Sequence, residues 1–337
     1  MIRPLLAALC AAALLAAFPA AAQQKTWRLK LASFAPPKAS SGVLFEQYVK
    51  EFKDKSGGRL ILEPFYGSSM GPMPRHYDLA RQGVADLAFF QHGATPGRFP
   101  LTALSHLPYM MRDAEVAAKV LTGMLDGPLG AEHKGVKVLW LVSGQPADVF
   151  HASQPLRSVA DLKGQRLRAP TATVVGMLKR LGAVPVGLPA PKMAEALQKG
   201  TIDGVITDRN GVFSFRLGEL VKYQTPLFKA VLTFGLAMNP KTYAALPADL
   251  KAVVDGIGGV QGAVRAARTG WTANPRYDEY VESHGVKRVE MPASADAELR
   301  RLAADYAKER VAELDGKGLP ASAVYSRMQE LAEQHAK

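Results

Sequence analysis

Apolar and polar positions along the first third of the chain repeat as short strands separated by amphipathic helices. The predicted elements, strand first and then alternating, lie at 27–33, 42–55, 59–65, 74–83 and 85–90. Glycine pairs and prolines end them, as at Gly57-Gly58 after the first helix. Strands that alternate with helices pair in parallel, so this block predicts an α/β lobe.

The same rhythm returns in the second half. Strands are predicted at 136–142, 166–168, 184–186, 204–206 and 231–238, with helices at 172–181 and 192–200. The strand at 231–238 is expected to bring the chain back to the first lobe, and a helical pattern follows Pro247, interrupted near 286–291. The expected fold class is therefore α/β with two lobes and a cleft between them, where strand ends and helix N-termini converge.

The N-terminus has the pattern of a secretory leader. Arg3 precedes an apolar run at 5–18 and the small residues 20–22, so we predict a signal peptide at 1–22 that is removed before Gln23. A membrane anchor is the alternative, but the run is short and lacks a second charged flank. Cys10 lies inside the run, which leaves the exported chain without cysteine and dependent on an ordinary core.

Size and charge narrow the function further. A chain of 337 residues is long enough for two lobes after leader removal. Its formal net charge is +12, yet the basic residues are scattered and form no basic run, so nucleic-acid binding is not expected. A diffuse positive field favours anionic small molecules instead.

One motif carries an enzyme hypothesis. The segment 67–71 fits the G-x-S-x-G pattern of hydrolase nucleophile elbows, with Ser69 as the nucleophile. Pro72 and Pro74 follow where an elbow needs a smooth helix start, so a glycine-rich turn is the favoured interpretation. The histidines show no His-x-His or His-Glu-x-x-His spacing, and neither a metal site nor a cofactor is predicted.

The segment Asp161-Leu-Lys-Gly-Gln-Arg-Leu-Arg168-Ala-Pro is the most informative part of the chain. It predicts a turn, a strand, and an arginine at the carboxyl end of that strand just before a proline. The guanidinium fork of Arg168 matches a carboxylate bidentately and stays charged when desolvated. Arg166 shares its face of the strand, so the residues alone do not separate the two. The structural alternative is an arginine bridging to a carboxylate of its own lobe.

Several segments together resemble, in order and spacing, those that define the solute-binding proteins of tripartite ATP-independent periplasmic (TRAP) transporters. They are Gly57-Gly-Arg-Leu, Gly67-Ser-Ser-Met-Gly71, Gly83-Val-Ala-Asp86, His106-Leu-Pro-Tyr109, the Arg168 segment, Glu195-Ala-Leu-Gln-Lys-Gly-Thr-Ile-Asp-Gly204, Leu246-Pro-Ala-Asp-Leu250 and His284-Gly-Val286. A binding protein of an ATP-driven or another tripartite system would share the lobes and the leader, but the Arg168 segment argues against it.

The resemblance implies a type II-like periplasmic binding protein fold, with 23–147 and 232–273 in the first lobe and 148–231 and 274–337 in the second. It also implies hinges near Asp148 and Leu232 and a long helix near 256–271 that braces both lobes. Arg168 is expected to clamp a ligand carboxylate. The implied partners are a small and a large integral membrane subunit driven by an ion gradient, usually sodium, and a periplasmic monomer without catalytic activity is expected.

Departures from the family pattern bear on the ligand. Asp148 replaces a second arginine of many acidic-sugar binders, and Ala190 replaces a covering aromatic ring. Phe34 and Met73 stand where the family commonly has polar ligand contacts. The alternative is that both are core residues that do not contact the ligand. A drier, roomier pocket favours a bulky monocarboxylate, aromatic or branched, over a small dicarboxylate or sialic acid. The expected ligand-binding residues are Arg168, Asp148, Gln91, Phe90, Phe34, Met73, Thr171, Ala190 and Thr207.

Overall fold

The computed structural model describes residues 25–272 and 274–336, so the predicted signal peptide at 1–22 lies outside the described residues. The strands are β1 Trp27–Ala32, β2 Leu60–Phe65, β3 Leu87–Gln91, β4 Lys137–Ser143, β5 Ala147–His151, β6 Arg166–Ala169, β7 Val184–Gly187, β8 Gly204–Thr207, β9 Tyr223–Ala230, β10 Thr233–Met238 and β11 Lys287–Arg288. The α-helices are α1 Ser40–Lys55, α2 His76–Gln82, α3 Ala114–Gly123, α4 Pro128–Glu132, α5 Ala172–Arg180, α6 Met193–Gln198, α7 Arg209–Ser214, α8 Pro240–Ala245, α9 Ala248–Asp255, α10 Gly259–Gly270, α11 Pro275–Ser283, α12 Ala293–Gly316 and α13 Ala321–His335.

The first lobe is built on a five-stranded sheet in the order β2-β1-β3-β10-β4. Its first three strands pair in parallel, as their alternation with helices predicts. Strand β10 runs antiparallel between β3 and β4. The strand expected at 231–238 therefore lies in the same sheet as β1, β2 and β3.

The second lobe is built on a six-stranded sheet in the order β11-β9-β5-β8-β6-β7. Here β6 pairs in parallel with both β7 and β8, whereas β5 is antiparallel to β8 and β9. The sequence patterns missed β5 and β9. Pro226 lies within β9, and Phe228 and Lys229 have left-handed φ angles of 83° and 39°, so this strand lacks the regular alternation that identifies strands.

One helix joins the cores of the two lobes. The 24 residues of α12 bury Leu299 and Ala303 in the core of the second lobe, and Ala307 and Val311 in a core of the first. The expectation of a brace near 256–271 was wrong, because α10 buries its apolar face within the first lobe. Half of the buried residues of α12 are alanine, which gives only a weak hydrophobic signal in the sequence.

The C-terminal helix belongs to the first lobe. Ala321, Val324 and Met328 of α13 lie in the same core as Ala307 of α12. This differs from the expected assignment of all of 274–337 to the second lobe, since the end of α12 carries the chain back across the lobe boundary. Among the described residues, no helix combines the length and the apolar character needed to cross a membrane.

Candidate functional site

A partly open cavity lies between the lobes, where three strands end. Gln91 ends β3, Arg168 lies near the end of β6 and Thr207 ends β8, and all three line the cavity. About 60 Å³ of it is open to the centres of water-sized molecules. One buried water needs roughly 10–15 Å³ by this measure, so the cavity has room for a compact molecule.

The first lobe lines the cavity with aromatic rings. Phe34 stacks on Phe89 with ring centroids 4.9 Å apart and an interplanar angle of 14°. Phe89 stacks on Phe234 at 5.5 Å, and Phe234 stacks on Trp271 at 5.7 Å. Rings aligned in this way form an apolar wall against which a flat ligand can pack.

The second lobe contributes Arg168, which is only 1% exposed. Its Nε donates to the carbonyl oxygen of Leu188 and its Nη1 to that of Ile206, both at 3.1 Å. Its buried Nη2 has no hydrogen-bond partner, and no carboxylate of the described residues forms an ion pair with Arg168. Burial lowers the pKa of the guanidinium to about 9. A buried charge without a counter-charge is costly, and this one suits an incoming anion.

Arg166, two residues earlier on the same strand, has a different environment. It is exposed at the other end of β6, and its Nε lies 3.1 Å from the Asp203 carboxylate, with Nη2 at 2.5 Å. The ion pair with Asp203 raises the pKa of Arg166 further. The alternative of an arginine bridging to a carboxylate of its own lobe thus describes Arg166 and not Arg168.

Gln91 and Asp208 are two further polar groups in the cavity wall. Gln91 is 3% exposed, and its buried Oε1 has no hydrogen-bond partner. Asp208 accepts from the Gly211 backbone N–H at 2.7 Å and from the Gln145 N–H at 3.1 Å. It therefore caps α7 and also holds the crossing between β4 and β5. Burial raises the pKa of Asp208 to about 6.

Of the nine residues expected to bind ligand, the cavity brings together Phe34, Gln91, Arg168, Ala190 and Thr207. Asp148, Phe90, Met73 and Thr171 do not line it.

The four expected residues that do not line the cavity make contacts elsewhere in the protein. Asp148 accepts from Gln224 Nε2 at 2.5 Å, and burial raises its pKa to about 6. Phe90 packs behind the sheet because β3 turns its even and odd residues to opposite faces. Met73 lies in the core of the first lobe. Thr171 caps α5 by accepting from the Val174 N–H at 3.2 Å.

Several residues at the lobe boundary were not predicted. Asn210 Nδ2 donates to Ser40 Oγ at 2.7 Å and to the Gly270 carbonyl oxygen at 3.2 Å, which ties α7 of the second lobe to α1 and α10 of the first. Trp271, directly after α10, accepts from Gln145 Nε2 at 2.6 Å through its carbonyl. Asp208 and Asn210 follow the end of β8 at the cleft, and polar residues in that place were the sequence feature that could have indicated these contacts.

Ser69 lies in a glycine-rich turn after β2. Ser68 and Gly71 of this turn have positive φ angles of 65° and 138°, and a short 3-10 helix follows instead of a smooth α-helix. The nearby His76 places its ring nitrogens 3.0 Å from the Phe89 carbonyl oxygen and 3.1 Å from that of Gly71. No histidine of the described residues contacts the Ser69 hydroxyl through a hydrogen bond.

Sequence and structure comparisons identify the family of the chain. The sequence pattern of the bacterial extracellular solute-binding proteins, family 7, matches residues 31–313. A solute-binding protein of Verminephrobacter eiseniae is 26% identical over 243 residues, which are 70% of this chain and 71% of that relative.

Two solved structures of TRAP solute-binding proteins are similar throughout. One, from Rhodoferax ferrireducens with copurified benzoate, is 30% identical with a TM-score of 0.88, covering 92% of this chain and 99% of that one. The other, from a marine metagenome, is described as specific for aromatic acid ligands and contains 3-hydroxybenzoate; it is 28% identical with a TM-score of 0.89, covering 93% and 100%. The chain therefore belongs to the family 7 extracellular solute-binding proteins and is the extracytoplasmic solute-binding protein of a TRAP transporter.

Proposed function

We propose that this protein captures an aromatic monocarboxylate and delivers it to the small and large membrane subunits of its transporter. The observation that carries the proposal is the buried guanidinium of Arg168, which has no carboxylate partner and lines the same cavity as a wall of stacked aromatic rings. One feature fits the charged end of such a ligand and the other fits its ring.

Arg168 clamps the ligand carboxylate in this proposal. A guanidinium has five N–H donors, and two of those on Arg168 already bond to backbone carbonyl oxygens. The donors that remain are one hydrogen of Nη1 and both hydrogens of Nη2, so a carboxylate can accept two parallel bonds, one from each nitrogen. The two backbone bonds hold the guanidinium plane in place before the ligand arrives, which reduces the entropy lost on binding.

The ring of the ligand packs on the first lobe. Phe34, Phe234 and Trp271 offer flat apolar surface, and Ala190 on the second lobe leaves room opposite. The two similar structures with benzoate and 3-hydroxybenzoate support an aromatic acid over a small dicarboxylate or sialic acid. Gln91, with its free Oε1, is placed to accept a hydrogen bond from a polar substituent of the ligand.

Closure of the lobes completes the proposed cycle. The crossings between β4 and β5 and between β9 and β10 act as hinges, and the hydrogen bonds of Asn210 to Ser40 and Gly270 hold the closed form. The closed shape is what the membrane subunits bind, so binding energy is converted into a signal for transport. The protein works in the periplasm as a monomer, after removal of its leader, and performs no chemistry on the solute.

A thermal-shift panel tests the proposal. The protein is unfolded and refolded to remove carried-over ligand and is then screened against aromatic monocarboxylates, branched monocarboxylates, small dicarboxylates and sialic acid. A ligand at one hundred times its Kd stabilises by about 2.7 kcal/mol, a Tm rise of a few degrees at this size. We expect shifts with benzoate or its hydroxylated relatives. Shifts confined to dicarboxylates, or none with any carboxylate, would overturn the proposed ligand class.

A further inference from the structure

A second, open groove lies at the mouth of the cleft and joins the ligand cavity. Its volume is about 650 Å³. We name it the mouth groove; it is lined from the first lobe by Phe34, Pro36, Pro37, Lys38 and Gly67, and from the second by Pro191, Phe213, Ser214, Phe215, Arg216, Arg276 and Tyr280. Phe34, Ser214 and Phe215 line the inner cavity as well, so the two spaces are continuous.

The mouth groove carries positive charge without compensation. Lys38, Arg216 and Arg276 are exposed, and the groove lining contains no aspartate or glutamate. Across the described residues most arginines pair with a carboxylate, as Arg180 does with Glu309. The described arginines that form no ion pair are Arg75, Arg157, Arg168, Arg216 and Arg276. Unpaired arginines therefore concentrate along the path to the ligand site.

Aromatic rings lie beside these charges. The guanidinium of Arg276 lies 4.6 Å from the ring centroid of Phe213, and Phe213 meets Tyr280 edge-on at 5.3 Å. Arg216 follows the end of α7 with a left-handed φ of 52°, a position where glycine is the usual residue. An arginine costs free energy there that glycine would not, which is consistent with a role for its side chain.

We propose that the mouth groove is an encounter site, in which an aromatic carboxylate is held on the open second lobe before the lobes close and it reaches Arg168. The inference rests on the proposed function. Arg216, Arg276, Phe213 and Tyr280 belong to the same lobe as Arg168, so the ligand moves along one surface. Unpaired cations at the mouth of a cleft raise the association rate of an anion, and salt screens this effect.

Stopped-flow kinetics with benzoate test the encounter site. Trp271 lines the inner cavity, so its fluorescence reports ligand arrival in the protein refolded without ligand. The test variant is Arg216→Glu/Arg276→Glu. The matched control is Arg157→Glu/Lys163→Glu, which makes the same charge change in the loop between β5 and β6, away from the groove.

At about 20 mM ionic strength we expect the test variant to associate at least ~10-fold more slowly than the unmodified protein, and the control within about 2-fold of it. The difference should shrink toward 0.5 M salt, where the Debye length is roughly five-fold shorter than at 20 mM. The dissociation rate constant should stay within about 2-fold, because the groove does not hold the buried ligand.

Equal association rates in the test and control variants would overturn the encounter site while leaving the binding function intact. Failure of the unmodified protein to bind benzoate would instead reject the proposed ligand class. If the charge-reversed protein has a lowered Tm, the single variants Arg216→Gln and Arg276→Gln replace it, because they remove a positive charge without adding a negative one. These variants should slow association in the same direction by a smaller factor.

Discussion

The two ends of strand β6 carry the same side chain in opposite circumstances. Arg166, at the amino end, is exposed and paired with Asp203. Arg168, at the carboxyl end, is 1% exposed, donates to two backbone carbonyl oxygens and has no carboxylate partner. Only one residue, Leu167, separates the arginine of a surface ion pair from the charged group of a ligand cavity.

Arg166 and Arg168 are the same residue type on the same face of the strand. Their position along the strand therefore decides whether each pairs with a carboxylate of the protein. The carboxyl ends of β6 and β8 meet at the cleft, while their amino ends point away from it. A cation at the amino end finds the carboxylates of surface loops. A cation at the carboxyl end is enclosed by the opposite lobe, and a soluble anion has to supply the counter-charge.

The largest predicted effect follows from removing the cavity arginine. Arg168→Ala should weaken benzoate binding by about 3–5 kcal/mol, because the ligand carboxylate would then be buried without a counter-charge. Isothermal titration calorimetry measures this loss. The Tm of the ligand-free variant should change little, because the loss of two hydrogen bonds to backbone carbonyls is offset by removal of a buried charge that has no counter-charge. An unchanged Kd would break the distinction between the two arginines.

The second prediction concerns Asp208, which directly follows β8 at the cleft end of the second sheet, where Arg168 also lies. Burial raises the pKa of Asp208 from an ordinary 3.8 to about 6. The protonated carboxyl is therefore favoured in the folded protein. Its contribution to the free energy of unfolding is complete below pH about 4 and is lost as the pH rises through about 6. Asp208→Asn keeps a side-chain oxygen to cap α7 but does not titrate. Relative to the unmodified protein, its free energy of unfolding should rise by up to about 3 kcal/mol between pH 4 and pH 7.

Urea denaturation of both proteins across this pH range provides the measurement. Asp148→Asn is a useful companion, because burial also raises the pKa of Asp148 to about 6 although this residue does not line the cavity. Its ligand affinity should be unaffected. Parallel stability curves for Asp208→Asn and the unmodified protein would contradict the assigned pKa.

Filling the cavity from the second lobe should have a smaller effect. Ala190 is 7% exposed and lines the cavity opposite the aromatic wall. Ala190→Phe would occupy space that the ligand ring needs, and overpacking of this kind typically costs 1–3 kcal/mol. We expect benzoate to bind roughly 30-fold more weakly by calorimetry, with Ala190→Ser as the control of similar volume. Tighter binding of benzoate by Ala190→Phe would show that the ring lies elsewhere.

The smallest effect is expected at the amino end of β6. Arg166→Ala removes an exposed ion pair with Asp203, and such pairs contribute little to stability because solvent and salt screen them. The affinity for benzoate should change by less than about 2-fold. A large loss of affinity in this variant would show that the two arginines share the ligand and that the ends of the strand are not functionally distinct.

The sequence predicted much of this arrangement because its signals are local. A short apolar run identified β3 and alternation identified β6, and the proline after Ala169 marked the end of β6, so Arg168 could be placed at the cleft. Gln91 and Thr207 were predicted from their places in the family pattern, and both line the cavity.

The remainder depends on contacts that are distant in sequence. That Arg166 is paired and Arg168 is not follows from where the fold brings Asp203, 37 residues away from Arg166. The bracing role of α12 rests on small alanines, whose spacing carries little hydrophobic signal. Trp271 comes from a different part of the chain from Phe34 and becomes part of the same wall only through the packing of α10 on the first sheet.

The central claim is that Arg168 supplies the counter-charge for a ligand carboxylate. A calorimetric double cycle tests it most directly, by comparing benzoate with its neutral isostere benzamide in the unmodified protein and in Arg168→Ala. We expect the unmodified protein to prefer benzoate by at least ~100-fold, or about 2.7 kcal/mol, and the variant to lose this preference. A preference for benzoate that persists in Arg168→Ala, or equal binding of both compounds by the unmodified protein, would contradict the account.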